Sequence, residues 1–202
     1  IDGFIVQLPL PSNIEQEKIL TQISPNKDVD GFHPYNYGKM TLGIDTFLPA
    51  TPAGIVELIK RYKIELSGKK CLVIGRSQIV GLPIGILLGQ NKSYANATVT
   101  VAHSRTKNLD LLCASSNIII SAIGIPNFLK SSMVSDKTVI IDVGISRIED
   151  STSPRGYKIV GDVDIEDFRD RDIMITPVPG GVGPMTIAML LQNTLKACQL
   201  ND

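Results

Sequence analysis

Five short apolar runs alternate with segments of helical spacing from Gly68 onward: "KKCLVIG", "ATVTVAH", "SNIIISAIG", "KTVIIDVG" and "IMITPV". They are rich in Val and Ile, and most show no polar face. That pattern suits strands covered on both sides. Between the first two, "QIVGLPIGILLGQ" reads as a helix. Strands alternating with crossover helices make a parallel sheet. The expected fold class is α/β, with a Rossmann-like parallel-sheet nucleotide domain plus part of a second α/β catalytic domain. "SRIEDSTSPRGYK", before the last run, reads as an exposed polar excursion.

The flanks carry their own signals. "GFIVQL" reads as a strand ending in "PLPS". Ser12 and Glu15 in "SNIE" form a candidate capping box for a helix that buries Ile19, Leu20 and Ile23. Thr51 is the expected N-cap of a second helix, with Pro52 at its first position and Ile55, Leu58, Ile59 and Tyr62 on one face. In "PMTIAMLLQNTLKACQL" the face predicted to be buried holds Ile187, Leu190, Leu191, Thr194, Leu195 and Cys198. The expected division is residues 1–49 in the catalytic domain, 50–177 in the nucleotide domain, and 178–202 as a loop and helix returning to the first, with a cleft between the two. Ile1 already lies inside a strand-like run, so the chain is expected to be a fragment lacking an N-terminal part.

Composition excludes several classes. The formal net charge is zero, so the basic footprint of a nucleic-acid binder is absent. No apolar run is long enough to cross a bilayer. Three cysteines without a CxxC, and only two histidines, argue against a disulfide framework or a metal site. A reducing, cytoplasmic setting is expected, with an organellar one left open.

"CLVIGRSQIVGLP" is strand, glycine turn and helix, a natural seat for phosphate. The G-x-G-x-x-G spacing is missing. Gly75, Arg76 and Ser77 stand there instead, with Gly81 further on, and Arg76 and Ser77 can add side-chain donors. A turn that merely packs is the alternative. After the next strand, "AHSRT" offers Ser104 and Arg105 where an NAD site usually places a carboxylate. A hydroxyl and a guanidinium suit a 2′-phosphate, so NADP is expected, with NAD still possible. Arg105 could equally be a solvated arginine and His103 a packed strand end. Gly124 in "AIGIP" and Gly144 in "DVGIS" would let backbone approach a flat ring, and Ile145 could pack on nicotinamide. "PVPGGVGPMT", residues 177–186, holds three glycines and three prolines just before a helix, more than a plain turn requires.

Taken together, "GFIVQLPLP", "PNKDVDGFHPYNYGK", "PATPAGIVELI", "VIGRSQIVGLPIGILL", "DVGI", "VGDVD" and "TPVPGGVGPMTIAMLLQNT" closely resemble the bifunctional methylenetetrahydrofolate dehydrogenase/methenyltetrahydrofolate cyclohydrolase family, over the whole chain. The resemblance implies a homodimer of two-domain subunits acting on tetrahydrofolate derivatives in one-carbon metabolism. A hydride passes from 5,10-methylenetetrahydrofolate to NADP⁺, and water then opens the methenyl product to 10-formyltetrahydrofolate. It implies catalytic roles for Gln7, beside a lysine, and Asp30, on the pterin. It implies Gly75, Arg76, Ser77, Ser104, Arg105 and Ile145 at the cofactor. Gln7, Leu8, Asp30, Pro179, Gly180, Gly183 and Thr186 would line the folate site. Leu8–Pro9 and Val178–Pro179 are candidate cis bonds. The family's Tyr-x-x-x-Lys, expected upstream of "VQLP", is not assigned to Lys18, Lys27 or Lys39, so these residues alone are expected to be poor catalysts. Two other readings stay open: an NADP dehydrogenase of the shikimate or amino-acid type, and a non-catalytic nucleotide-binding module.

Overall fold

The five apolar runs do form one sheet. In a computed structural model that describes residues 1–201, β1 (Lys70–Ile74), β2 (Thr98–Ala102), β3 (Ile118–Ser121), β4 (Val139–Asp142) and β7 (Met174–Ile175) lie in the order β2-β1-β3-β4-β7. Every pairing is parallel. Successive side chains leave on opposite faces, and the core divides accordingly. Cys71, Val73, Ile118, Ile120, Val139 and Ile141 join one cluster, with Ile55, Ile84 and Leu88 from the helices covering it. Leu72, Ile74, Ile119 and Ile140 join the other, beneath Cys113, Leu129 and Phe168. Each buried Ile or Leu here is stabilised by about 1.5–3 kcal/mol relative to exposure.

One face carries α3 (Ala50–Arg61) and α4 (Gly81–Gly89), with α2 (Pro34–Thr41) against α4. The other carries α5 (Leu109–Ala114), a single short turn that the sequence reading missed. The last helix, α6 (Val182–Asn201), packs mainly along α3.

Several expectations need correction. "SRIEDSTSPRGYK" is no loose excursion: β5 (Ser146–Glu149) and β6 (Tyr157–Val160) pair as an antiparallel hairpin. Alternate residues there are half-buried, so the strand period was present beneath the charges. "GFIVQL" makes only an isolated bridge, Phe4 to Asp28, because no second strand completes a ladder among the described residues. The first helix, α1 (Gln16–Gln22), starts beyond the supposed capping box, with Glu15 in the cap position and no side-chain cap. Ile14 closes a turn onto Pro11 instead, and Ile19 stays exposed. The second helix begins at Ala50, not after Thr51, and Tyr62 beyond its end is exposed.

The face assigned to α6 is turned by about one residue. Asn193 and Ala197 point inward, while Ile187, Leu191 and Leu195 are 63%, 66% and 61% exposed. The reason is close approach. Asn193 Nδ2 donates to the carbonyls of Val29 and Leu48, at 2.8 and 2.9 Å. A Cβ on Gly54 of α3 would sit 3.0 Å from Met185. Small and amide side chains fit that gap; branched ones do not.

Candidate functional site

A parallel sheet opens a crevice at its carboxyl edge where successive connections diverge. Here that point lies between β1 and β3. Gly75 follows β1 with φ +118°, and a Cβ on it would overlap the carbonyl of Ala122 after β3. A Cβ on Gly81 would overlap the carbonyl of Gly75. The two glycines therefore let α4 start directly against the strand end. Ser77 Oγ accepts from the N–H groups of Val80 and Gly81, at 3.2 and 3.3 Å. It caps α4 and keeps its own proton to donate. Arg76 is exposed beside it, with no ion pair among the described residues.

Ser104 and Arg105 are exposed in the turn after β2, next to β1. His103 builds that turn. Its Nδ1 accepts from the Arg105 N–H at 3.1 Å, and its own N–H donates to Thr106 Oγ1 at 2.9 Å. His103 is thus a strand-end former.

A second cleft, of about 580 Å³, opens beyond β4. Gly144 and Ile145 form one wall, and the segment from Pro177 through Thr186 and Ile187 forms the other. Ile145 is 65% exposed at its mouth. Val178–Pro179 is cis, Gly180 has φ +104°, and nothing lies within 4 Å of where a Cβ on Gly180 or Gly183 would stand. Thr186 Oγ1 bonds Thr51 Oγ1 at 3.0 Å. The earlier start of α3 places Thr51 inside the helix and frees it for this contact. Ile145, Pro179, Gly180, Gly183 and Thr186 therefore share one cleft.

Gly144 lines this cleft, and its missing side chain has a second use. A Cβ on Gly144 would overlap the Asp162 carboxylate, so the missing side chain accommodates a protein group. Gly124 does sit in the open, with φ +68°.

The remaining predicted residues lie elsewhere. Leu8, whose bond to Pro9 is cis, lines a different, largely apolar cleft of about 520 Å³ with Leu20, Phe32, Tyr37, Ile79 and Leu82. Gln7 is exposed and, among the described residues, donates to the Leu8 carbonyl at 3.2 Å. Asp30 lines neither cleft. Burial, and then the neighbouring Asp28 charge, raise its pKa to about 6. Asp28 itself accepts from Phe32 N–H, His33 N–H and Asn36 Nδ2, so it organises the turn into α2. Tyr35 and Lys39 stand four apart on α2 in Tyr-x-x-x-Lys spacing, a match the sequence reading passed over. The Lys39 ammonium lies 5.6 Å over the Tyr35 ring, and neither residue lines either cleft.

Sequence reasoning also missed Asp142, which lines the second cleft, and Asp162 behind it. Their signal was present in "DVG" and "GDV", where an acid stands within two residues of a glycine at a strand end.

The chain resembles known proteins in sequence and in fold. Residues 49–202 match the family model described as tetrahydrofolate dehydrogenase/cyclohydrolase, NAD(P)-binding domain. The bifunctional protein FolD of Flavobacterium psychrophilum is 59% identical over 197 residues, covering 98% of this chain and 67% of the relative. The crystal structure of FolD from Campylobacter jejuni superposes with a TM-score of 0.90 at 48% identity, covering 100% of this chain and 68% of that one. FolD from Trypanosoma brucei, solved with NADP cofactor and inhibitor, gives 0.90 at 37% identity, with 99% and 67% covered. The chain thus spans about two thirds of the length of these relatives.

Proposed function

This chain belongs to the tetrahydrofolate dehydrogenase/cyclohydrolase family, and we propose that it serves the NADP-dependent oxidation of 5,10-methylenetetrahydrofolate and the hydrolysis of the product to 10-formyltetrahydrofolate. The observation that carries the reading is the second cleft, where Ile145 faces the cis-proline, glycine-opened segment leading to Thr186. A flat substrate can lie there against bare backbone.

The residues fit a dinucleotide. The Gly75–Gly81 approach would be filled by any Cβ, and Ser77, whose Oγ caps the start of α4, keeps a hydroxyl proton to donate to phosphate. Gly75, Arg76 and Ser77 would hold the pyrophosphate, and Ser104 and Arg105 the 2′-phosphate. Ile145 would orient the nicotinamide end. When bound, NADP⁺ supplies the hydride acceptor. Pro179, Gly180, Gly183 and Thr186 would seat the folate. Asp30 would accept from the pterin's donor edge, Gln7 would orient the family's lysine, and Leu8 would line the folate site. Because Asp30 and Leu8 lie outside the second cleft, this arrangement requires the folate to bridge from that cleft toward the segment before α2. Residues 1–49 are assigned to the catalytic half, 50–177 to the nucleotide half, and 178–202 to the return. A homodimer in the cytoplasm, supplying one-carbon units for purine synthesis, completes the reading; no helix among the described residues is long and apolar enough to cross a membrane.

The test is calorimetric titration of the 202-residue protein with NADP⁺, with and without a folate analogue. NADP⁺ is expected to bind, more tightly with the analogue present. No heat with NADP⁺ overturns the reading, and NADP⁺ binding unaffected by the analogue overturns the shared cleft.

A further inference from the structure

Two motifs remain without an assigned task, "DVG" at 142–144 and "GDV" at 161–163. Their geometry is reciprocal. Asp142 Oδ1 accepts from the N–H groups of Gly144 and Asp162, at 2.9 and 3.0 Å, and its Oδ2 accepts from Val163 N–H at 2.9 Å. Asp162 Oδ2 accepts from Ser121 Oγ at 3.1 Å and from Ile123 N–H at 2.8 Å. A Cβ on Gly144 would overlap the Asp162 carboxylate, and a Cβ on Gly161 would overlap that of Asp142. Neither glycine has φ in the left-handed region, so backbone conformation does not demand glycine at either position. Space does: each glycine admits the carboxylate of the opposite motif.

Both aspartates are buried, and none of the ion pairs among the described residues involves either. Backbone N–H groups supply most of their donors. Breaking such bonds leaves buried groups unsatisfied, which makes the arrangement stiff. Its location gives it consequence. Asp162 ties down the end of β3 and abuts the turn that carries Gly144 and Ile145 after β4.

We propose that Asp162 is a positioning residue for the nicotinamide end of the dinucleotide site, setting the separation between the β3 and β4 strand ends and hence where Ile145 stands. This rests on the dinucleotide reading above. The adenosine end is assigned to the edges of β1 and β2, and β2 lies three strand steps, about 14 Å, from β4. The two ends can therefore be probed separately.

The probes are NADP⁺ and adenosine 2′,5′-bisphosphate, which lacks nicotinamide, titrated calorimetrically into the 202-residue protein. Asp162→Ala is expected to weaken NADP⁺ at least tenfold and the bisphosphate less than twofold. Asp162→Asn keeps an oxygen for Ser121 and Ile123 and is expected to recover NADP⁺ affinity to within threefold of the parent. Gly144→Ala, whose Cβ displaces the carboxylate, is expected to match Asp162→Ala, and the double variant to be no worse than either. Unchanged NADP⁺ affinity in Gly144→Ala or Asp162→Ala overturns the proposal, as does a parallel loss of both ligands. A parent protein that binds neither ligand overturns the dinucleotide reading itself.

Discussion

The central strands and the first 23 residues both place apolar residues at strand or helix spacing, yet most of those residues end in different environments. In β3, Ile118, Ile119 and Ile120 are almost wholly buried. In the opening segment Ile1, Phe4, Ile5, Ile14 and Ile19 are exposed, and α1 buries no residue. Hydrophobic patterning is the same kind of signal in both. What differs is partners: β3 has a strand on each side and helices on both faces, whereas the opening segment has one bridge. Apolar residues stabilise only in proportion to the area that something else covers.

The contrast can be tested by truncation. Ile120→Ala is expected to cost about 3–4 kcal/mol and Ile19→Ala less than about 0.5 kcal/mol, read from denaturant unfolding midpoints. Equal losses would show that the opening segment shares the core after all. Gly75→Ala comes next, because it meets both a positive φ and the Ala122 carbonyl. A loss of about 2 kcal/mol in stability is expected, together with weakened NADP⁺ binding. Stability without binding loss would separate the β1–β3 crevice from the nucleotide.

A smaller effect than that at Gly75 concerns Asp30. Its carboxyl titrates near 4 in the unfolded chain and at about 6 in the folded one. Between those values the folded state holds the extra proton, so stability falls as pH rises from 4 to 6. Asp30→Asn is expected to flatten that slope and raise stability at pH 7 by about 1 kcal/mol, a figure reduced for partial exposure. Melting curves across that pH range check it, and an unchanged slope would place the titration elsewhere.

Much of the sheet was legible, because a buried parallel strand leaves an unbroken apolar run that few other structures tolerate. The cleft was partly legible. Glycines and prolines in 177–186 announced an unusual backbone, and Ile145 lines the same cleft. Other parts were hidden. Helix starts shifted: α1 begins after Glu15 with no side-chain cap, and Thr51 lies inside α3 and bonds Thr186. The α6 face was misread because periodicity reports where apolar residues fall, and Asn193 won its inward place by bonding two free carbonyls.

Local spacing thus determined the strands, the α/β class and the residues that crowd each strand end, since those depend on neighbours in the chain. Only the tertiary structure decided which side chain fills the space a glycine leaves. The Asp162 carboxylate beside Gly144 comes from 18 residues away in sequence, and only the folded sheet edge brings the two into contact.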